Sequence, residues 1–299
     1  MGRKFIYFIN PIAGTRSKEL VPVIIKKITT LHHIPFEILP TNAEGNYAYL
    51  PEKIIVEKIT DIIICGGDGT VNQLANALQG VDVNIGIIPM GSGNGLALAA
   101  KIPKRIDKAL AVIFNGNTTY IDSFYINKKF SCMLCGIGFD AQVAHDFAAQ
   151  KKRGLFTYIK QSAKHFFKAK TYAFEIMVNG NAINPEAFFI SIANSNQFGN
   201  NFTIAPQASL QDGLLDIVVV NKMSKLRMVW SILKQIRNGQ VRVYEDKKYH
   251  GNDIHYFQTN KLTIKNLQLA PLHIDGDPAE TAKYFEIEII EKAFRMIIP

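Results

Sequence analysis

The strongest constraint on this chain is a set of short apolar runs, "FIYFI" at residues 5–9, "DIIIC" at 61–65 and "NIGIIP" at 84–89, each leading into a glycine-bearing turn. A strand that is apolar at nearly every position must be covered on both faces, as in a parallel sheet wrapped by helices. Between Lys4 and about Ile121 the strand-like stretches "KFIYFIN", "FEILPT", "DIIIC" and "NIGIIP" alternate with the helical stretches "ELVPVIIKKITTLHH", "NYAYLPEKIIVEK" and "VNQLANALQ". This predicts a doubly wound α/β domain whose ligands sit at the carboxyl ends of the strands.

After about Ser123 the pattern changes. "KKFSCMLCGIG", "YAFEIMV", "AFFISIAN", "GLLDIVVV", "KLTIKNLQL" and "YFEIEII" follow one another as strands with turns between, and the Asn-Gly of "VNGNA" suits a tight type I′ hairpin. This half reads as antiparallel β, interrupted by helices from Gly154 to about Lys170 and from Lys225 to about Asn238. No Pro/Gly-rich linker separates the halves, so two domains packed across a cleft are expected. Residues 1–123 form the first, with a segment of about 287–299 returning to it, and residues 124–286 form the second.

With 34 Lys+Arg against 25 Asp+Glu the net charge is +9, which favours anionic partners without choosing among them. No nucleic-acid-binding motif is visible and the aromatic residues fall at strand positions, so no nucleic-acid partner is expected. The chain lacks an apolar run of membrane-spanning length and a signal-peptide cleavage pattern, which reads as soluble and cytoplasmic. Its three cysteines argue against a disulfide framework, and Cys132 and Cys135 lie in an apolar strand with no second ligand pair, so neither metal nor redox chemistry is assigned to them.

Chemistry concentrates in the turns. Gly66, Gly67, Asp68, Gly69 and Thr70 link a strand to a helix, with Thr70 placed to cap a helix starting at Val71. Backbone N–H groups and the helix dipole make such a turn a phosphate cradle. An aspartate there repels phosphate unless a cation lies between, so Asp68 is a candidate Mg²⁺ holder, directly or through water. "NPIAGTRSK" offers Asn10, Gly14, Arg16 and Lys18 after the first strand, and "PMGSGNGLA" offers Gly91, Ser92, Gly93 and Asn94 after the fourth. Three such turns on parallel strands converge on one edge of the sheet. The dinucleotide fingerprint G-x-G-x-x-G is absent from the first turn, which disfavours a dehydrogenase. In the β half, Asp212 and Asp216 flank one turn and Asp275 and Asp277 another. Each is ordinary turn punctuation alone, whereas together they offer one group for metal and one for an acceptor's proton.

"CGGDGTVNQLANAL", "PMGSGNGLA", "APQASLQDGLLD" and "HIDGDP", in this order and spacing, resemble the diacylglycerol kinase catalytic-domain family, which includes bacterial lipid kinases and, more distantly, sphingosine and ceramide kinases. The resemblance spans essentially the whole chain. It implies an N-terminal nucleotide-binding α/β domain, a C-terminal β-sandwich, and an ATP- and Mg²⁺-dependent transfer of phosphate to a lipid hydroxyl. The family's nucleotide contacts fall on Asn10, Pro11, Ile12, Ala13 and Gly14, on Thr41, on Gly66, Gly67, Asp68, Gly69, Thr70, Val71 and Asn72, and on Ser92. A magnesium site of bacterial members falls on Ser209, Asp212 and Leu214, the first and last through backbone carbonyls, and the general base falls on Asp277. Bacterial diacylglycerol kinases usually carry Glu at the position of Asp277 and Asp at that of Gly95. "GSGNGLA" is closer to the sphingosine and ceramide kinase version, and in sphingosine kinases the base is the aspartate of the glycine turn, here Asp68. The acceptor is therefore diacylglycerol-like or sphingoid-like, with a soluble-metabolite kinase of the NAD kinase type and a non-catalytic nucleotide- or lipid-binding protein as rivals.

Such a kinase works as a peripheral protein on the inner, anionic membrane surface. Within "KKRGLFTYIKQSAKHFFKAK", Leu155, Ile159, Ala163 and Phe166 fall at helical spacing with Lys160, Lys164 and Lys168 on another face, which suits either an interfacial helix or a core helix with solvated lysines. Lys225, Arg227, Lys234 and Arg237 read as a solvated face. Oligomeric state, a homodimer included, stays open.

Overall fold

The computed structural model describes residues 2–14, 20–42, 44–148, 169–196, 205–224 and 254–299. Arg16 and Lys18, the helix expected from Gly154 to about Lys170 save its last two residues, and the helix expected from Lys225 lie outside the described residues. The chain divides into two compact units, Met1–Asp122 with Glu291–Pro299, and Ser123–Ile290. No helix among the described residues is long and apolar enough to cross a membrane.

Unit 1 runs β1 (Phe5–Ile9), α1 (Leu20–Leu31), β2 (Phe36–Pro40), α2 (Leu50–Glu57), β3 (Asp61–Gly66), α3 (Asp68–Ala77), β4 (Asn84–Pro89), α4 (Gly95–Ala99) and α5 (Ile106–Asn115). The strands pair in parallel in the order β2-β1-β3-β4, with Arg295 and Met296 of the last strand alongside Asn84 and Ile85 of β4. Phe5, Ile6, Tyr7 and Phe8 are all fully buried, as are Ile62, Ile63 and Ile64, so side chains on both faces of β1 and β3 are covered. Each such residue contributes about 1.5–3 kcal/mol by leaving water. On one face Tyr7 bonds Thr29 of α1 and Phe5 stacks on Phe114 of α5, while Phe8 meets Tyr47 edge-on. At the amino end of the sheet Arg3 grips the fully buried Asp61 with two bonds of 2.7 and 3.1 Å, joining the starts of β1 and β3.

Unit 2 contains the end of β5 (Asn117–Ile126), then β6 (Lys129–Ser131), β7 (Leu134–Gly138), α6 (Phe139–Ala148), β8 (Tyr172–Val178), β9 (Asn181–Ile183), β10 (Glu186–Ala193), β11 (Leu215–Asn221), β12 (Ile254–Thr259), β13 (Lys261–Asn266), β14 (Leu272–Ile274), β15 (Asp277–Ala279) and the first part of β16 (Tyr284–Ile298). Its pairings are antiparallel. The inner faces of β8, β13 and β16 (Phe174, Ile176, Ile264, Phe285) share one core with those of β7, β10 and β11 (Ile137, Ile190, Ile217), giving a β-sandwich. Lys261, Thr263 and Lys265 are less buried than Leu262 and Ile264 between them, the alternation of a sheet with one wet face. The Asn179-Gly180 turn joins β8 to β9 with both residues at positive φ, 50° and 78°, as a type I′ turn requires.

The structure adds the helices α5 and α6 and the strands β5, β12, β14 and β15 to the elements expected from the sequence. It also moves helix starts: α2 begins at Leu50 rather than Asn46. α3 starts at Asp68 rather than Val71, with Gly67 as its N-cap and no side-chain cap. Thr70 is buried inside the first turn, where its hydroxyl accepts from Asn10 instead of capping.

Candidate active site

In unit 1 the parallel ladder aligns the exits of β1, β3 and β4, pairing Ile9 with Cys65 and Gly66 with Pro89. The turns that follow are then tied together. Asn10 N–H donates to Cys65 O at 2.9 Å and Asn10 Nδ2 to Thr70 Oγ1 at 2.7 Å, fixing the first turn to the second. Met90 N–H donates to Gly66 O at 2.8 Å, fixing the third. Glycine is required where these backbones meet: a Cβ on Gly91 would lie 2.6 Å from Gly67 Cα, and one on Gly14, whose φ is +71°, would run into the Met90 carbonyl.

Asp68 opens α3, and its carboxylate lies against the third turn, 2.8 Å from where a Cβ of Gly93 would stand. The first helical bond is Val71 N–H to Gly67 O at 3.1 Å, so the N–H groups before it are not used by the helix ladder. Asn94 holds the third turn in a left-handed conformation (φ 57°), buried and bonded both ways to Gly91 at 2.7 and 2.8 Å. Ser92 is exposed beside it. Thr41 N–H donates to Ile9 O, which brings the end of β2 alongside the first turn, where Pro11 and Ile12 are exposed and Asn10 Oδ1 accepts from Ile12 N–H. Asn72, one turn into α3, is partly exposed. The unit 1 candidates are thus gathered at one sheet edge. Asn10 serves there as a clip between turns, a role its residue type did not disclose.

In unit 2, Ser209, Asp212 and Leu214 occupy the turn that enters β11, where Asp212 Oδ1 accepts from Leu214 N–H at 3.2 Å. Behind it Asp216 is fully buried, bonded to the Tyr256 hydroxyl and to Gln258 Nε2. Burial pushes its carboxyl above the usual range, the Tyr256 and Gln258 bonds oppose this, and the nearby charge of Asp212 adds to it. Asp212 is thus the one exposed carboxylate of this turn, an oxygen donor, while Asp216 is turned into buried bonds. Asp212 suits a hard cation that keeps water or phosphate oxygens rather than a cage built from protein alone. No group of three or more His, Cys, Asp or Glu side chains able to hold a metal occurs among the described residues.

The second acidic turn separates into two roles. Asp275, at 7% exposure and φ 49°, accepts from Ser131 Oγ at 2.6 Å and from the N–H groups of Cys132, Met133 and Leu134 at 3.0–3.1 Å. Its carboxylate is thereby an anchor for the β6–β7 connection. Asp277 opens β15 opposite Ile274 and is exposed. Cys135 beside this cluster is buried, and its thiol is pushed well above the usual range by burial, with the Asp275 charge adding to the shift.

Residues 4–126 match the model of the diacylglycerol kinase catalytic domain, and residues 134–297 match that of the YegS C-terminal NAD kinase beta sandwich-like domain. The chain belongs to the family defined by the YegS C-terminal NAD kinase beta sandwich-like domain, carried here behind a diacylglycerol kinase catalytic domain. Within this family it is similar to a protein of Shewanella frigidimarina named "Probable lipid kinase YegS-like", at 29% identity over 83% of this chain and 80% of that protein. The diacylglycerol kinase of Bacillus subtilis (strain 168) is 25% identical over 79% of this chain and 77% of its own. Two crystal structures from Bacillus anthracis str. Sterne share the fold. One, of a diacylglycerol kinase, has a TM-score of 0.73 at 20% identity; the other has 0.81 at 23%, and each match covers 99% of this chain and 97% of the other. The chain is an enzyme of the lipid kinase family, and a kinase family implies use of ATP.

Proposed function

We propose that the chain is an ATP- and Mg²⁺-dependent kinase that transfers the γ-phosphoryl group to a hydroxyl of a diacylglycerol-like or sphingoid-like lipid. The observation that carries this reading is the joining of three glycine turns around the start of α3, with Asp68 among them. Backbone N–H groups and the positive end of the helix receive phosphate oxygens there. In the transfer the lipid oxygen forms a bond to the γ-phosphorus, the bond from that phosphorus to the β,γ-bridging oxygen breaks, and ADP leaves. The hydroxyl proton passes to a carboxylate, Asp277 in the diacylglycerol kinase scheme and Asp68 in the sphingosine kinase scheme. Ser209, Asp212 and Leu214 in unit 2 are the residues that would hold Mg²⁺, whose chemistry is to offset phosphate charge, and Asp68 in unit 1 is a separate candidate for the same role at the phosphates.

The names of the Bacillus subtilis and Staphylococcus aureus relatives favour a glyceride acceptor, while Gly95 favours a sphingoid one. The net charge of +9 suits a cytoplasmic protein that meets its lipid on an anionic membrane surface. Incubation with γ-labelled ATP, Mg²⁺ and a total lipid extract, followed by mass identification, should give one labelled lipid class. Label appearing in NAD instead, or in nothing, would defeat the proposal. Gly91→Ala should force the second and third turns apart and weaken ATP binding about tenfold or more in calorimetry, since displacements near 1 Å are costly at a positioned site.

A further inference from the structure

Three buried groups stand in a row behind the Asp277 turn. In the ladder Gly136 of β7 lies directly opposite His273 of β14, so the two face the same side of the sheet. His273 is fully buried. Gly136 leaves room on that side for Asp140, the second residue of α6; any Cβ at 136 would collide with Asp140 Oδ2 and His273 Nε2. Asp140 is 6% exposed. Its Oδ1 accepts from Ala141 N–H at 2.8 Å, and its Oδ2, which makes no hydrogen bond among the described residues, faces His273 Nε2 at 3.4 Å. The far side of the imidazole completes the row: Nδ1 accepts from Gly276 N–H at 3.3 Å. α6 is held to the same strand a second time by His145 Nε2, which donates to Leu272 O at 2.7 Å.

An Nδ1 that accepts a hydrogen bond carries no proton, so the ring proton is on Nε2, which lies 3.4 Å from Asp140 Oδ2 in a close electrostatic contact without hydrogen-bond alignment. The ring thereby connects α6 to Gly276, whose φ is +87° and whose next residue is Asp277. We infer that Asp140 and His273 are positioning residues: the carboxylate selects the imidazole tautomer, and the imidazole fixes the backbone turn that aims Asp277 at the acceptor hydroxyl. This rests on the reading of Asp277 as the group that takes the acceptor's proton. A purely stabilising role would be served as well by apolar side chains of similar volume, since a buried polar pair brings little net stability.

Asp140→Asn tests the tautomer. The single amide oxygen cannot serve both Ala141 N–H and His273; when it stays on Ala141, the amide N–H₂ faces Nε2, the ring proton moves to Nδ1, and two N–H groups oppose each other at Gly276. Nitrogen-15 NMR of the imidazole should show Nδ1 unprotonated in the unaltered protein and protonated in Asp140→Asn. The kcat should fall about tenfold to a hundredfold with the KM for ATP unchanged. His273→Asn, whose Oδ1 can replace Nδ1 as acceptor, should keep kcat within a few fold, whereas His273→Leu should lose as much as Asp140→Asn. A protonated Nδ1 in the unaltered protein would overturn the inference, as would equal kcat values for His273→Asn and His273→Leu. If the tautomers come out as stated but no lipid is phosphorylated, the kinase reading fails and the arrangement of the turn stands.

Discussion

Asp68→Ala is expected to lower phosphoryl transfer by about a hundredfold or more while leaving the protein folded. The magnitude is that of removing a positioned acid–base or charge-stabilising group. Asp68 acts in either family scheme, as the base or as a holder of the cation, and its carboxylate sits where the second and third glycine turns meet. The folding cost is small: an acidic side chain in the first turn of a helix contributes about 0.3–1 kcal/mol through the dipole. Labelled-ATP turnover and a thermal melt on the same preparation separate the two effects. Full turnover in Asp68→Ala would mean that the glycine turns serve some other purpose.

The second large effect falls on stability. Asp275→Ala should destabilise unit 2 by about 3–5 kcal/mol, because it leaves three N–H groups and the Ser131 hydroxyl without their shared acceptor in a buried site. Asp275→Asn, which keeps one acceptor oxygen, should fall between. Asp277→Asn should leave the unfolding midpoint unchanged and lower turnover instead. Urea unfolding of the three variants is the check, and equal midpoints for Asp275→Ala and Asp277→Asn would refute the division of roles.

That division shows where sequence reading reaches its limit. "HIDGDP" presents two aspartates around one glycine, and nothing local says which is structural. The answer lies 144 residues away, at Ser131 and the three N–H groups after it. The strands of unit 1 were legible because β1 and β3 are apolar at nearly every position, a pattern that leaves few alternatives to a covered parallel strand. Parallel strands with turns at the same end then bring those turns together, so the gathering at Gly14, Gly67 and Gly91 followed from topology. The start of α3 was misplaced because Thr70 is the better capping residue by type, yet its hydroxyl is engaged by Asn10 and Gly67 enters the helix without a side chain. α6 had a usable signal in "GFDAQVAHDF", with an acid at its start and Phe139 and Val143 one turn apart. The pairing of Asp140 with His273 had none, since it depends on strand register and on the absence of a side chain at Gly136.

The last strand has a consequence for biosynthesis. Among the described residues, β4 gains its second neighbour from Arg295 and Met296. A ribosome must therefore release just over two hundred further residues, the whole of unit 2 included, before the sheet of unit 1 can close. Throughout that interval "NIGIIP" offers a bare apolar edge to any other nascent chain, which makes translation speed and chaperone supply part of what decides how much active protein is made.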